Sequence, residues 1–97
     1  MPTKSKYNIT DYSKQQADKL GVIISQSSNP KKKLDVFDKK GNFITNVGDS
    51  NYKDYPTYIK EKGLAYANTR RKLYKIRHDK DRHNKGTAGF YADKLLW

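Results

Sequence analysis

The sequence contains no cysteine, which excludes disulfide frameworks, thiolate zinc sites and thiol nucleophiles in one step. Glutamate occurs once, as Glu61. A paired-carboxylate mechanism would therefore have to be built from aspartates that sit in turns or among lysines. A Gly-rich phosphate loop and a nucleophile elbow are both missing. Long apolar runs are absent as well: the longest aliphatic run is Val22-Ile23-Ile24, and no apolar stretch follows the charged first six residues. This predicts a chain without membrane insertion, kept inside a cell or packaged from an intracellular pool. Leu, Ile, Val and Phe supply only 18 of 97 residues, just under the roughly 20% below which a highly charged chain is expected to stay disordered. Eight tyrosines and one tryptophan compensate, because each aromatic ring buries about 150–250 Å² while leaving a polar tip free. The length permits one domain of marginal stability.

What the chain has in excess is positive charge: 21 Lys and Arg against 10 Asp and Glu, a formal net charge of +11. The excess is uneven. Residues 1–33 carry +5, residues 34–55 carry −1, residues 56–85 carry +7, and residues 86–97 balance. Two basic blocks flanking a nearly neutral middle imply anionic partners.

The first ten residues have no apolar period and read as an extended arm. Thr10 or Asp11 can cap a short helix over residues 11–20, which Gly21 would end in a left-handed conformation. Residues 22–25 form a β-branched stretch. Ser27-Ser28-Asn29-Pro30 followed by Lys31-Lys32-Lys33 combines turn residues with a like-charge run and reads as a linker. The expected division is thus a basic arm, short helix and linker over residues 1–33, and a compact α+β domain over residues 34–97. Within that domain, Leu34 and Val36 alternate with Asp35, and Phe43 and Val47 lie on a second alternating run beyond Lys39-Lys40-Gly41-Asn42. This pattern predicts a β-hairpin. Tyr55-Pro56 suits a helix entry, and a short helix over residues 57–62 would end at Gly63. Residues 64–80 lack Gly and Pro and read as the longest helix. Tyr66, Leu73 and Ile76 share one side of it, and Leu73 and Ile76 are expected in the core. Arg70, Arg71, Tyr74, Arg77 and His78 share another, cationic and partly aromatic. Phe90, Leu95, Leu96 and Trp97 place large apolar groups in a terminus that would otherwise fray, so this C-terminal aromatic helix is expected to dock on the hairpin.

The basic helix is the main functional signal. Arg70, Arg71, Lys72, Lys75, Arg77, Lys80 and Arg82 give seven cations in thirteen positions, joined by Lys31, Lys32 and Lys33 at the linker. Arginine forks pair with phosphate or carboxylate, so the face suits DNA or RNA backbones or an acidic protein, or else is a solvated surface. Tyr52, Tyr55 and Tyr58 recur every third residue, either as a stacking platform for bases or as half-buried rim residues. His78 and His83 are five apart, which misses the helical metal-pair spacing, and Lys80 and Arg82 between them would repel a divalent ion. A metal-dependent nuclease using His78, Asp81 and His83 is a remote alternative with residue type as its sole support. Neither cofactor, metal nor small-molecule substrate is expected, and the chain reads as non-enzymatic.

Five blocks carry a resemblance: Ala17-Asp18-Lys19-Leu20-Gly21-Val22, Lys33-Leu34-Asp35-Val36-Phe37, Asp54-Tyr55-Pro56-Thr57-Tyr58-Ile59, Arg70-Arg71-Lys72-Leu73-Tyr74-Lys75-Ile76-Arg77-His78, and Gly89-Phe90-Tyr91-Ala92-Asp93-Lys94-Leu95-Leu96-Trp97. Together they resemble a small basic protein family of large double-stranded DNA viruses, over residues 17–97. The resemblance implies a viral context and transfers no catalytic residue. Small basic proteins of such viruses tend to staple capsomers, line the inner shell or handle the genome. The leading expectation is a minor or auxiliary capsid protein located in the virion, and in the host cell interior during assembly, whose arm and basic helix bridge capsid or other virion proteins. The alternative is a sequence-nonspecific nucleic-acid-binding protein.

Overall fold

The structure, a computed structural model, describes residues 5–97. The order of elements is α1 (Asp11–Leu20), β1 (Ile23–Gln26), β2 (Lys32–Phe37), β3 (Phe43–Asp49), α2 (Tyr55–Lys62), α3 (Leu64–Arg77) and α4 (Ala88–Leu96). The chain is an α+β domain with a three-stranded antiparallel sheet in the order β1-β2-β3.

Local chemistry sets the helix ends. The side chains of Thr10, Asp54 and Thr87 each accept the backbone N–H three residues on, capping α1, α2 and α4, which satisfies donors that a helix start leaves orphaned. Gly21 closes α1 at φ 72°, a conformation in which a Cβ is disfavoured. In the β2–β3 loop, Asp38 accepts the backbone N–H groups of Lys40 and Asn42, both at 2.9 Å. Its carboxyl is held below the ordinary range, chiefly by the Asn42 bond.

The division at residue 33 is corrected. Residues 27–31 are the turn of a second hairpin, because β1 pairs with β2 from Ile23 opposite Phe37 to Gln26 opposite Leu34. Asp35 braces this turn by accepting Ser27 Oγ at 2.7 Å and the Ser28 N–H at 3.0 Å. The run Lys31-Lys32-Lys33 reads as self-repelling in isolation, but Lys33 is neutralised by Asp54, 21 residues along the chain and 3.1 Å away in space. The arm is corrected as well, for residues 5–9. Ser5 donates its N–H to the Ser27 carbonyl at 2.8 Å, and the Tyr7 hydroxyl donates to Asp54 Oδ2 at 2.6 Å. Residues 1–4 of the expected arm lie outside the described residues.

The core gathers Ala17, Val22, Leu34, Val36, Val47, Leu95 and Leu96. α4 therefore docks on the sheet as expected, and Ser13 Oγ ties α1 to it through the Leu95 carbonyl at 2.7 Å. Four of the expected core or docking residues, Phe43, Leu73, Ile76 and Phe90, lie outside the core. Phe43 is 56% exposed, because it opens the edge strand β3; its ring packs edge to face on Phe37 at 5.8 Å. Leu73 and Ile76 point to solvent, because α3 turns Ala67 and Tyr74 inward instead. The deciding contact is Tyr74, whose ring stacks on Trp97 at 4.4 Å and 8°. That stack fixes the rotation of the helix and sends the aliphatic side outward. Phe90 is half-buried, outside the core cluster, with Tyr91 at 5.3 Å and the Lys94 ammonium 5.8 Å above its ring.

Candidate functional site

The side of α3 that carries Arg70, Tyr74, Arg77 and His78 faces the strand pair β2–β3 and the start of α4, and the space between them is a cleft of about 540 Å³. α2 supplies Tyr58, the loop before it supplies Tyr52 and Lys53, and β2 supplies Lys32. Cations and aromatic rings thus alternate around one concavity. Asp49 is the single carboxylate among the described lining residues, and it is engaged by the Asn51 N–H at 2.8 Å.

The cations differ in how strongly the fold uses them. Among the described residues, Lys32, Arg70 and Arg77 have no carboxylate within 4.0 Å, whereas Lys53 is 2.8 Å from Glu61. The Arg70 guanidinium lies 5.5 Å over the Tyr58 ring, and its buried Nε has no acceptor. A buried donor without a partner is costly unless a ligand or water supplies one. Trp97 is half-buried along the cleft wall, with Tyr58 at 6.2 Å on one side and Tyr74 stacked on the other. Tyr52 stands at the rim, 72% exposed.

Several residues expected to contact a partner are withdrawn from that role. Lys33 is buried against Asp54. Lys75 pairs with the fully buried Asp93 at 2.6 Å, and its ammonium pKa is lowered, mainly by desolvation. Arg82 folds back on the end of α3, donating to the Lys75 carbonyl at 3.2 Å and to Asp79 at 3.0 Å. Tyr74 is buried, and burial followed by the charge of Asp93 pushes its phenol up to about 12. His78 packs 4.3 Å from the Tyr74 ring and keeps a place in the cleft lining. Lys31 and Lys80 are exposed in turns outside the cleft. On the opposite flank of α3, Arg71 lies 4.8 Å over the Tyr55 ring and, with Lys72, lines a separate open groove of about 500 Å³.

The residues of the remote nuclease alternative do not converge. His83 is 3.2 Å from Asp79, and His78 is taken up by the aromatic stack; among the described residues no three His, Asp or Glu side chains form a metal-sized group. Of the tyrosine triplet, Tyr52 and Tyr58 reach the cleft, while Tyr55 is buried with its hydroxyl on Asn68 Oδ1 at 2.8 Å. Sequence reasoning missed Lys53 and Trp97 as cleft residues. The three-residue tyrosine spacing was the signal that pointed to the right segment for Lys53, but nothing local placed Trp97 beside α3.

Chemically, such a cleft can neutralise phosphates and stack planar rings. No protein-family model matches the chain, and neither a curated protein nor a solved structure matches it.

Proposed function

We propose that the protein is a non-enzymatic, sequence-nonspecific nucleic-acid-binding protein, and that the backbone of the polymer runs through the cleft between α3 and the β2–β3 hairpin. The observation that carries this reading is the set Lys32, Arg70 and Arg77, without carboxylate partners among the described residues and facing one concavity with Tyr52, Tyr58 and Trp97. Cations that track phosphates and exposed rings that stack on bases are the two parts of a single-strand binding surface. The domain's net charge of +11 would raise the encounter rate with any polyanion.

The resemblance of residues 17–97 to proteins of large DNA viruses supports a particle or infected-cell setting, in which a genome-binding protein is also a minor virion component. The bridging arm of that reading has less support, since residues 5–9 are tied to their own domain. Purified particles whose mass-spectrometric inventory lacks the chain would remove the packaged version.

Trp97 is the only tryptophan and lines the cleft, so its fluorescence reports occupancy directly. Titrating oligonucleotide at increasing salt should quench Trp97 and give a log K against log salt slope of about −0.7 for each neutralised phosphate of a single strand. Absence of binding at low salt would overturn the proposal, and binding that leaves Trp97 unquenched would move it out of the cleft.

A further inference from the structure

Helix α3 reads LAYANTRRKLYKIR, with five cations and no acid. At about 100° per residue, the direction opposite the buried Ala67 and Tyr74 is occupied by Ile76 and Thr69, with Leu73 and Tyr66 beside them. Ile76 is 65% exposed and Leu73 49% exposed. These are the only branched aliphatic residues of α3 after its first position, and the fold spends neither of them on its core. Lys72 and Arg77 flank the ridge on opposite sides, and the open groove of about 500 Å³ runs along it past Ile76, Arg71 and Lys72.

We propose that the outer face of α3 docks an acidic amphipathic helix of a partner protein, with apolar partner residues over Leu73 and Ile76 and partner carboxylates against Lys72 and Arg71 on the flank away from the cleft. Charge complementarity selects this occupant. A second copy of the chain would set cations against cations, since α3 has no acid of its own. The nearby Asp79 is already within 3.0 Å of Arg82 and 3.2 Å of His83. A nucleic-acid backbone would satisfy the cations but would give Leu73 and Ile76 no apolar surface to bury. A helix with apolar residues at i, i+3, i+4 and i+7 and acids beside them meets both requirements. The face is separate from the cleft, so the proposal stands or falls independently of nucleic-acid binding.

The test uses the full chain and two synthetic labelled peptides of about 20 residues, long enough for several helical turns. One is a Glu-rich helix with a leucine stripe; the other keeps every glutamate and has glutamine in place of leucine. Fluorescence anisotropy should show the leucine peptide binding at least roughly ten-fold tighter. The exposed double variant Leu73→Ser/Ile76→Ser, checked for an unchanged Tm, should lose that difference, whereas Arg70→Gln in the cleft should retain it. Equal binding of the two peptides would reduce the effect to charge attraction and overturn the proposal. So would full affinity in the double variant. Sedimentation showing a dimer that the double variant abolishes would give the face to a second copy instead, and an oligonucleotide whose affinity falls in the double variant would give it to nucleic acid.

Discussion

Lys33 and Asp54 form an ion pair of 3.1 Å whose side chains are only 5% and 1% exposed. Asp54 does three things there: it neutralises Lys33, caps α2 through the Thr57 N–H at 3.1 Å, and accepts the Tyr7 hydroxyl. One carboxylate thereby joins the N-terminal segment, the central strand and the second helix. Asp54→Ala should cost about 3–5 kcal/mol, the range for stranding a buried charge. Lys33→Met keeps most of the buried stem and leaves Asp54 two donors, so it should cost less. The double variant Lys33→Met/Asp54→Ala should fall short of the summed losses. Urea denaturation of the four proteins measures this, and additive losses would show that the pair does not couple.

The division between structural and available cations predicts a pattern in binding. Arg70→Gln and Arg77→Gln should each reduce the salt slope of oligonucleotide binding by about 0.7, one phosphate contact apiece. Lys31→Gln and Lys80→Gln, outside the cleft, should leave the slope nearly unchanged. A uniform effect of all four would mean that the polymer sees net charge rather than the cleft.

The burial of Tyr74, with the charge of Asp93 beside it, gives a pH dependence of definite sign. In the unfolded chain a tyrosine ionises near pH 10, whereas in the fold the Tyr74 phenol is pushed up to about 12. The unfolded state therefore releases this proton first as pH rises. The stability tied to neutral Tyr74 is present in full below about pH 10 and is lost towards pH 12. The Tm should fall through that window, and Tyr74→Phe, which keeps the ring stack, should fall less steeply. Tyr7, raised by burial and by Asp54, supplies part of the remaining slope in both proteins. Parallel curves would assign the alkaline loss to other groups.

Local signals were legible wherever the chemistry is local. Thr10, Gly21 and Pro56 mark helix ends, and the alternation around Lys39-Lys40-Gly41-Asn42 marks the β2–β3 hairpin. The rotation of α3 was not legible, because its pattern offers two plausible inward faces. Tyr74 wins over Leu73 and Ile76 only through Trp97, 23 residues further along the chain. The turn over residues 27–31 reads as a linker for a similar reason: the countercharge of Lys33 comes from Asp54, and the brace of the turn comes from Asp35 across the strand pair. The candidate cleft was half visible. Its arginines and tyrosines stand out in the sequence, but which cations the fold consumes depends on buried aspartates whose partners are distant.

Gly48 shows how a tight approach constrains the cleft wall. It has φ 81°, and a Cβ there would lie 2.6 Å from Leu96 Cδ1 and 3.0 Å from Lys33 Cδ. Gly41 has φ 88° with open space around it. Gly41→Ala should therefore cost the conformational strain alone, about 1–2 kcal/mol. Gly48→Ala should cost that plus an overpacking penalty of roughly 1–3 kcal/mol. Denaturation midpoints of the two variants compare them directly, and equal losses would show that Leu96 and Lys33 yield without strain.

The exposure of Leu73 and Ile76 separates stability from interaction. Leu96 is 1% exposed within the core, so Leu96→Ala should cost about 2–5 kcal/mol through lost burial and the cavity left behind. Leu73→Ala has no enclosing neighbours to leave a cavity in, and alanine is the better helix former, so its effect should stay within about 0.5 kcal/mol. The same holds for Ile76→Ala, where removing a β-branch also relieves helix strain. Paired urea titrations would expose any error in the orientation of α3. A loss above about 2 kcal/mol at Leu73 would mean that the aliphatic side of the helix packs inward in solution, and Tyr74 would then have to leave its stack on Trp97.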